Sequence, residues 1–110
     1  MKKRFVQVDE SREWGGPELF RAILALKSPA ELEALFVDLC TPAELEALID
    51  RWRVVPHLMR GEPYREIHEQ TAVSVTTIGR VARTLQFGAG GYRKAHERLG
   101  EQSPTNKEST

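Results

Sequence analysis

The chain has 110 residues, of which 40% are hydrophobic and 29% charged, and its 16 basic and 16 acidic side chains give a formal net charge of zero. This length and composition are typical of one small soluble domain, and no apolar run approaches the roughly 20 residues of a membrane-spanning helix. The N-terminus is basic but has no apolar stretch behind it, so it does not resemble a secretory signal, and we expect a cytoplasmic protein. Cys40 is the only cysteine, which excludes a disulfide within the chain.

The first half of the chain contains start signals for three helices. Leu, Ile and Phe residues recur at helical spacing between residues 17 and 27 and predict an apolar helix. The motif Ser-Pro-Ala-Glu at 28–31 predicts a capping box, in which the serine accepts a hydrogen bond from an amide and the glutamate reaches back. Thr-Pro-Ala-Glu at 41–44 repeats this signal and opens a long helix that should end at Gly61. Pro56 inside that helix predicts either a kink or a break just before it.

Residues 63–86 have the outline of a helix-turn-helix. Pro63 suits the first position of a short helix, Ala72 falls where that helix should stop, and Ser74 can cap a second helix that starts near Val75. Many such motifs carry a glycine where this chain has Ala72. An alternative interpretation of the segment is a pair of core helices with a solvated arginine face.

The apolar residues of this segment predict which face of the second helix is exposed. If Ile67, Val73 and Ile78 close a small core, polar and small side chains are left outside. His68 departs from the motif, because many such motifs carry a small residue there, and it should crowd the contact between the helices. The N-terminal residues of the second helix enter the major groove in this motif. Small residues let a helix approach closely, methyl groups contact thymine, and arginine can donate two hydrogen bonds to guanine. We therefore predict a DNA-binding set of Arg65, Ser74, Val75, Thr76, Thr77, Gly79, Arg80 and Arg83.

The net charge of zero hides an uneven distribution. Residues 1–50 carry a net charge of −4, residues 51–98 carry +5, and the remaining residues carry −1. The basic half is the half with the helix-turn-helix, as phosphate binding requires. Candidate phosphate contacts in this half are Arg51, Arg53, Arg60, Arg65, Arg80, Arg83, Arg93, Lys94 and Arg98.

The apolar faces of the predicted helices are too narrow to bury all the large apolar side chains within one chain. Trp52, Phe36 and Phe20 need a second layer, and another copy of the chain would supply it. We expect a homodimer with its interface in residues 17–58, which would present two reading helices about one DNA turn apart.

Nothing in the pattern indicates a metal site or an enzyme. The three histidines and Cys40 lack metal-ligand spacing, and no nucleophile or carboxylate pair has supporting context. Ala-Gly-Gly at 89–91 predicts a bend before a last helix at 92–99. The fold class is therefore all-α, with five to six helices. The expected parts are an N-terminal arm at 1–16, a helical domain at 17–99 and a disordered tail at 100–110.

Three segments resemble the tryptophan-repressor superfamily, and in particular its YerC/YecD branch. They are T-P-A-E-L-E-A-L at 41–48, R-W-R-V-V-P-H-L-M-R-G-E-P-Y-R-E-I at 51–67 and S-V-T-T-I-G-R-V-A-R-T-L-Q-F-G-A-G-G-Y-R at 74–93. The similarity covers about residues 17 to 99, and F-G-A-G-G-Y-R is its most specific part. The resemblance implies an intertwined homodimer that binds double-stranded DNA as a transcriptional regulator, as a repressor in the family's namesake.

The same resemblance implies candidate positions for a small effector. Thr41, Arg51, Arg80 and Thr84 match positions that hold the amino acid ligand in the family. Val81, however, stands where the family has a glycine beside the indole, and its branched side chain should fill that slot. We therefore expect no cofactor and no tryptophan corepressor, and the identity of any effector stays open. A helical protein–protein interaction module that keeps the fold without specific DNA binding is the alternative to the regulator.

Overall fold

A computed structural model of the chain describes residues 14–101, which form six α-helices and, within that range, no strand. The helices are α1 Gly16–Ala25, α2 Pro29–Leu39, α3 Pro42–Met59, α4 Tyr64–Thr71, α5 Val75–Phe87 and α6 Gly91–Glu101. The predicted all-α class is confirmed. The predicted arm up to residue 13 and the predicted tail from residue 102 lie outside the described residues. Helices α1 and α2 belong to one compact unit and α3 to α6 belong to a second, with the boundary between Thr41 and Pro42.

The capping box at the start of α2 is confirmed with one change of partner. The Glu31 amide donates to the Ser28 side-chain oxygen over 3.2 Å, as predicted. The Glu31 carboxylate accepts from the amide of Lys27 over 2.7 Å, one residue before the capping serine. Both bonds occupy backbone donors that the helix itself cannot satisfy, and together they fix where α2 begins.

Helix α3 is continuous for 18 residues with Pro56 inside it, so the break just before Pro56, one of the two alternatives that the sequence left open, does not occur. Proline removes one helical hydrogen bond, at a cost of about 3 kcal/mol if nothing compensates. Val54 and Val55 precede it and are both completely buried. Burial of two valine side chains recovers about 3 kcal/mol or more, which explains why the helix persists through the proline.

The core of the second unit lies where α3, α4 and α5 meet. Helix α5 packs on both α3 and α4, and α6 packs on α3. The buried residues are Val54, Val55, Ile67, Val73, Ile78 and Val81. Trp52, Leu58, Met59, Leu85 and Tyr92 are partly buried against them. The predicted small core of Ile67, Val73 and Ile78 is therefore confirmed as part of a larger cluster.

The end of α3 is fixed by a turn centred on Gly61, as predicted. Gly61 has a φ of 78°, its amide donates to the carbonyl of Leu58, and the Glu62 amide donates to the carbonyl of His57. These two bonds define a Schellman motif, which needs the left-handed conformation that glycine adopts without a steric penalty. The turn sets the direction in which α4 leaves α3.

A side-chain cluster closes the same turn. The Glu62 carboxylate accepts from His57 Nδ1 over 2.7 Å and from Arg60 Nε over 2.8 Å. These hydrogen bonds, with that from His57 the larger cause, lower the pKa of the Glu62 carboxyl below its ordinary value. The ionised form of Glu62 is therefore the form that holds the turn.

We predict that Glu62→Gln destabilises the fold near neutral pH but not in acid. A carboxyl whose pKa is lower in the folded chain stabilises the fold above the unfolded-state pKa, and the contribution is lost as the pH falls through the folded-state pKa. Urea unfolding of wild type and variant should differ near pH 7 and should converge below the ordinary carboxyl pKa of about 4.3. A difference that stays constant across this range would contradict the assignment.

Candidate nucleic-acid interface

The turn between α4 and α5 is built from side chains of α4. The Thr71 hydroxyl donates to the carbonyl of Ile67 over 2.7 Å and accepts from the Val73 amide over 3.1 Å. His68 Nδ1 donates to the carbonyl of Val73 over 2.8 Å, and the His68 side chain is exposed. The expectation that His68 crowds the contact between the helices is therefore wrong, because its ring lies outside and ties the turn to α4.

Ala72 occupies the turn position where such motifs usually carry glycine. Its φ is 65° and ψ is 8°, and among residues 14–101 it is the only residue other than glycine with a positive φ. This left-handed conformation costs a residue with a Cβ about 1 kcal/mol relative to glycine. Ala72 is therefore less favourable for the conformation of this turn than glycine would be.

We predict that Ala72→Gly raises the free energy of unfolding by about 1 kcal/mol, because it removes the steric cost of the left-handed conformation. Ala95 is the matched control, since it is exposed in the interior of α6. Ala95→Gly should lower the free energy of unfolding by about the same amount. Chemical denaturation of both variants checks the opposite signs, and two losses would contradict the assigned turn geometry.

The start of α5 is capped by Ser74, as predicted. The Thr77 amide donates to the Ser74 side-chain oxygen over 3.1 Å, and the Ser74 hydroxyl donates to Thr77 Oγ1, also over 3.1 Å. The hydroxyls of both predicted DNA-binding residues are thus engaged with each other at the helix start. Pro63, predicted as the first residue of α4, lies one position earlier, as its extended N-cap with ψ of 149°.

The predicted reading residues lie along one exposed side of α5. Val75, Thr76, Arg80 and Arg83 are exposed, and Gly79 between them is half-buried. An open trough of about 680 Å³ follows this side and is lined by Tyr64, Val75, Thr76, Gly79, Arg80, Arg83 and Thr84. The structure therefore brings four of the predicted α5 side chains and Gly79 to one surface. Arg65 is exposed on α4 and is not among the residues that line the trough.

Some arginines of the basic half are held by contacts within the fold, as Arg53 is by Asp50, and others are not. Arg60 pairs with Glu62, and Arg93 donates to the carbonyl of Leu85 over 3.2 Å. Within residues 14–101, the guanidinium groups of Arg65, Arg80 and Arg83 have neither an ion pair nor a hydrogen bond. These three arginines are therefore available for an external anion, whereas Arg60 and Arg93 stabilise turns of the fold.

Tyr64 is a trough residue that the sequence reasoning missed. It is the first residue of α4, its side chain is 42% exposed, and it lines both the main trough and its extension toward Phe87. The helical spacing in the sequence indicated only that Tyr64 belongs to the apolar face of the first helix. Its place directly after Pro63, at the start of the helix that crosses the DNA backbone in this motif, was the available signal.

The candidate effector residues are distributed over both units. Thr41 ends the first unit, Arg51 lies on α3, and Arg80 and Thr84 lie on α5. Val81 has only 1% of its surface exposed and belongs to the core of the second unit. The side chain that should fill the indole slot is thus packed among other apolar residues.

The part of the chain that the structure describes offers little for other kinds of site. Residues 14–101 contain no cluster of histidine, cysteine and carboxylate side chains that could hold a metal ion. None of the helices in this range is long and apolar enough to cross a membrane.

The chain belongs to the Trp repressor protein family, whose sequence model matches residues 15–100. It is 38% identical over 96 residues to the uncharacterised protein YerC of Bacillus subtilis strain 168, which covers 87% of this chain and 92% of YerC. This finding confirms the resemblance drawn from the sequence.

Solved structures show the same fold. A TrpR-like protein from Eubacterium eligens superposes with a TM-score of 0.72 at 42% identity, over 76% of this chain and 87% of that one. A Staphylococcus aureus protein identified provisionally as a Trp repressor superposes with a TM-score of 0.75 at 35% identity, over 86% and 95% of the two chains.

Proposed function

We propose that the protein is a sequence-specific DNA-binding transcriptional repressor that reads its operator as a homodimer, with α5 in the major groove. The observation that carries the proposal is the exposed side of α5, which presents small and methyl-bearing residues together with two unpaired arginines. A surface of this chemistry suits base edges and phosphates, and membership of the Trp repressor family agrees with it.

The helix-turn-helix supports this proposal through its rigidity. The buried side chains of Ile67, Val73 and Ile78 lock α4 against α5, and the Ser74 cap fixes the first turn of α5. A reading helix must be held to within a fraction of an ångström for its side chains to distinguish bases. The described hydrogen bonds provide that restraint at the end of α5 that would meet DNA.

The homodimer is supported by the apolar surface of the first unit. Helices α1 and α2 contain no buried residue in a single chain. Phe20 is 50% exposed, Leu24 82%, Val37 54% and Leu39 50%. Helices with this much exposed apolar surface are stable only when another surface covers them. A second copy of the chain provides such a surface and also doubles the number of reading helices.

We propose further that tryptophan is not the corepressor, because the buried Val81 side chain occupies the position of the family glycine. A ligand that binds the folded protein at a hundred times its Kd raises the free energy of unfolding by about 2.7 kcal/mol. We predict that saturating tryptophan changes neither the thermal midpoint of the protein nor its affinity for DNA. A clear stabilisation by tryptophan would contradict this proposal while leaving the DNA-binding role intact.

The proposal is tested by selecting bound duplexes from a random pool with the purified protein at moderate salt. We expect an enriched, approximately palindromic site whose half-sites lie about one helical turn apart, because two reading helices of a dimer would bind it together. A pool that shows no enrichment even at low salt would favour the alternative, a helical protein–protein interaction module.

A further inference from the structure

The trough along α5 extends beyond the residues predicted from the sequence. Its second part, of about 410 Å³, is lined by Tyr64, Gly79, Ala82, Arg83, Gln86 and Phe87. Tyr64, Gly79 and Arg83 line both parts, so the two parts adjoin at these residues, and together they are called the channel below. The lining of both parts includes two arginines and no acidic residue. Its charge therefore suits an anionic partner.

Gly79 lines this channel without a side chain. Glycine is unfavourable in the interior of a helix, so its presence in α5 calls for a reason. A Cβ at Gly79 would lie 3.8 Å from Tyr64 Cε2, which is ordinary van der Waals contact. The Tyr64 ring would therefore tolerate alanine, and packing within the chain does not require glycine. The close approach of an external group to the backbone at position 79 would explain the glycine.

We propose that Tyr64 binds a backbone phosphate of DNA at the edge of the major groove, in the channel that it lines together with Arg83. The inference rests on the proposed function and deepens it by adding a neutral phosphate-binding residue to the arginines. Phosphate oxygens are acceptors, a phenol hydroxyl is a donor, and tyrosine side chains commonly make such contacts. In the helix-turn-helix the first helix crosses the DNA backbone, and Tyr64 is the first residue of α4.

Removal of Tyr64 and removal of Arg83 should have different effects on the salt dependence of DNA binding. An arginine that neutralises a phosphate releases a counterion, so log K falls with log salt by about 0.9 for each such contact. A tyrosine hydroxyl is neutral and contributes affinity without changing this slope. Arg83→Ala should therefore reduce the slope by about 1.8 for a dimer, whereas Tyr64→Phe should leave the slope unchanged.

The experiment compares wild type, Tyr64→Phe and Tyr64→Ala on the selected duplex and on an unrelated duplex across a salt series. We expect Tyr64→Phe to bind about tenfold more weakly on both duplexes, because a phosphate contact carries no sequence information. Tyr64→Ala should lose at least as much. Equal affinities of wild type and Tyr64→Phe would overturn the inference, as would a loss confined to the selected duplex.

Tyr92→Phe is the matched control, since the Tyr92 ring packs near Trp52 with ring centroids 6.4 Å apart, outside the channel. It should bind both duplexes as wild type does. Thermal unfolding verifies that each variant is folded. Tyr64→Phe should be as stable as wild type, because it keeps the aromatic ring next to Gly79. If wild type itself binds neither duplex in a salt-dependent manner, the proposed function fails. If wild type binds and Tyr64→Phe binds equally well, only the role of Tyr64 fails.

Discussion

Replacing Thr76 and Arg80 together with alanine is expected to weaken binding to the selected duplex by at least about a hundredfold. A bidentate contact from arginine to a base contributes about 1–3 kcal/mol of discrimination, and a dimer loses it twice. The Thr76 methyl adds an apolar contact of smaller size. Both side chains are exposed on α5, so their removal leaves the core unchanged. Fluorescence anisotropy with labelled duplex measures the loss.

The same double variant should lose much less affinity for an unrelated duplex, since phosphate contacts from Arg65 and Arg83 persist. Arg98→Ala is the matched control for the loss of an arginine charge, because Arg98, a candidate phosphate contact, is exposed in the last turn of α6 and lies outside the helix-turn-helix. Its removal should change affinity by less than about threefold, and equally for both duplexes. A double variant that retains full affinity for the selected duplex would contradict the reading role of α5.

Placing a charge on the apolar face of α1 is expected to abolish the dimer. Leu24 is 82% exposed in a single chain, so Leu24→Asp removes no packing contact of the monomer core. In the proposed dimer the aspartate would be buried without a partner, at a cost of several kcal/mol. Light scattering after size exclusion should show a monomer, and helix content should fall because α1 and α2 lose the surface that covers them.

Leu24→Ile is the control for this change, since it conserves apolar volume and should leave the dimer intact. The monomeric Leu24→Asp variant should also bind the selected duplex far more weakly, because one reading helix engages only one half-site. A Leu24→Asp protein that remains dimeric and fully helical would mean that the apolar face of α1 lies outside the interface.

Local signals in the sequence predicted most of the helix starts. The serine caps of α2 and α5 depend on residues three apart, so Ser28 and Ser74 could be assigned without tertiary information. The core of the helix-turn-helix followed from the spacing of Ile67, Val73 and Ile78. The errors concerned residues with two plausible local roles. Pro63 suits both the N-cap and the first helical turn, and only the observed ψ distinguishes them.

Tertiary context decided the features that the sequence could not predict. The continuity of α3 through Pro56 depends on the burial of Val54 and Val55 by other helices. Arg93 donates both to the carbonyl of Leu85 and to the Met59 sulfur 34 residues away, a contact without a local signal. The channel position of Tyr64 likewise requires the angle between α4 and α5. Neither composition nor hydrophobic periodicity predicts these contacts between residues that are distant in the sequence.

If the exposed side of α5 reads DNA sequence, the protein must distinguish two duplexes that differ only in their base order. The Kd of the wild-type protein is measured for the selected duplex and for a shuffled duplex of the same length and composition, over a series of salt concentrations. We expect the protein to prefer the selected duplex by about a thousandfold or more, and we expect log K to fall linearly with log salt. Equal affinities for the two duplexes at every salt concentration would contradict the proposal that α5 reads DNA sequence.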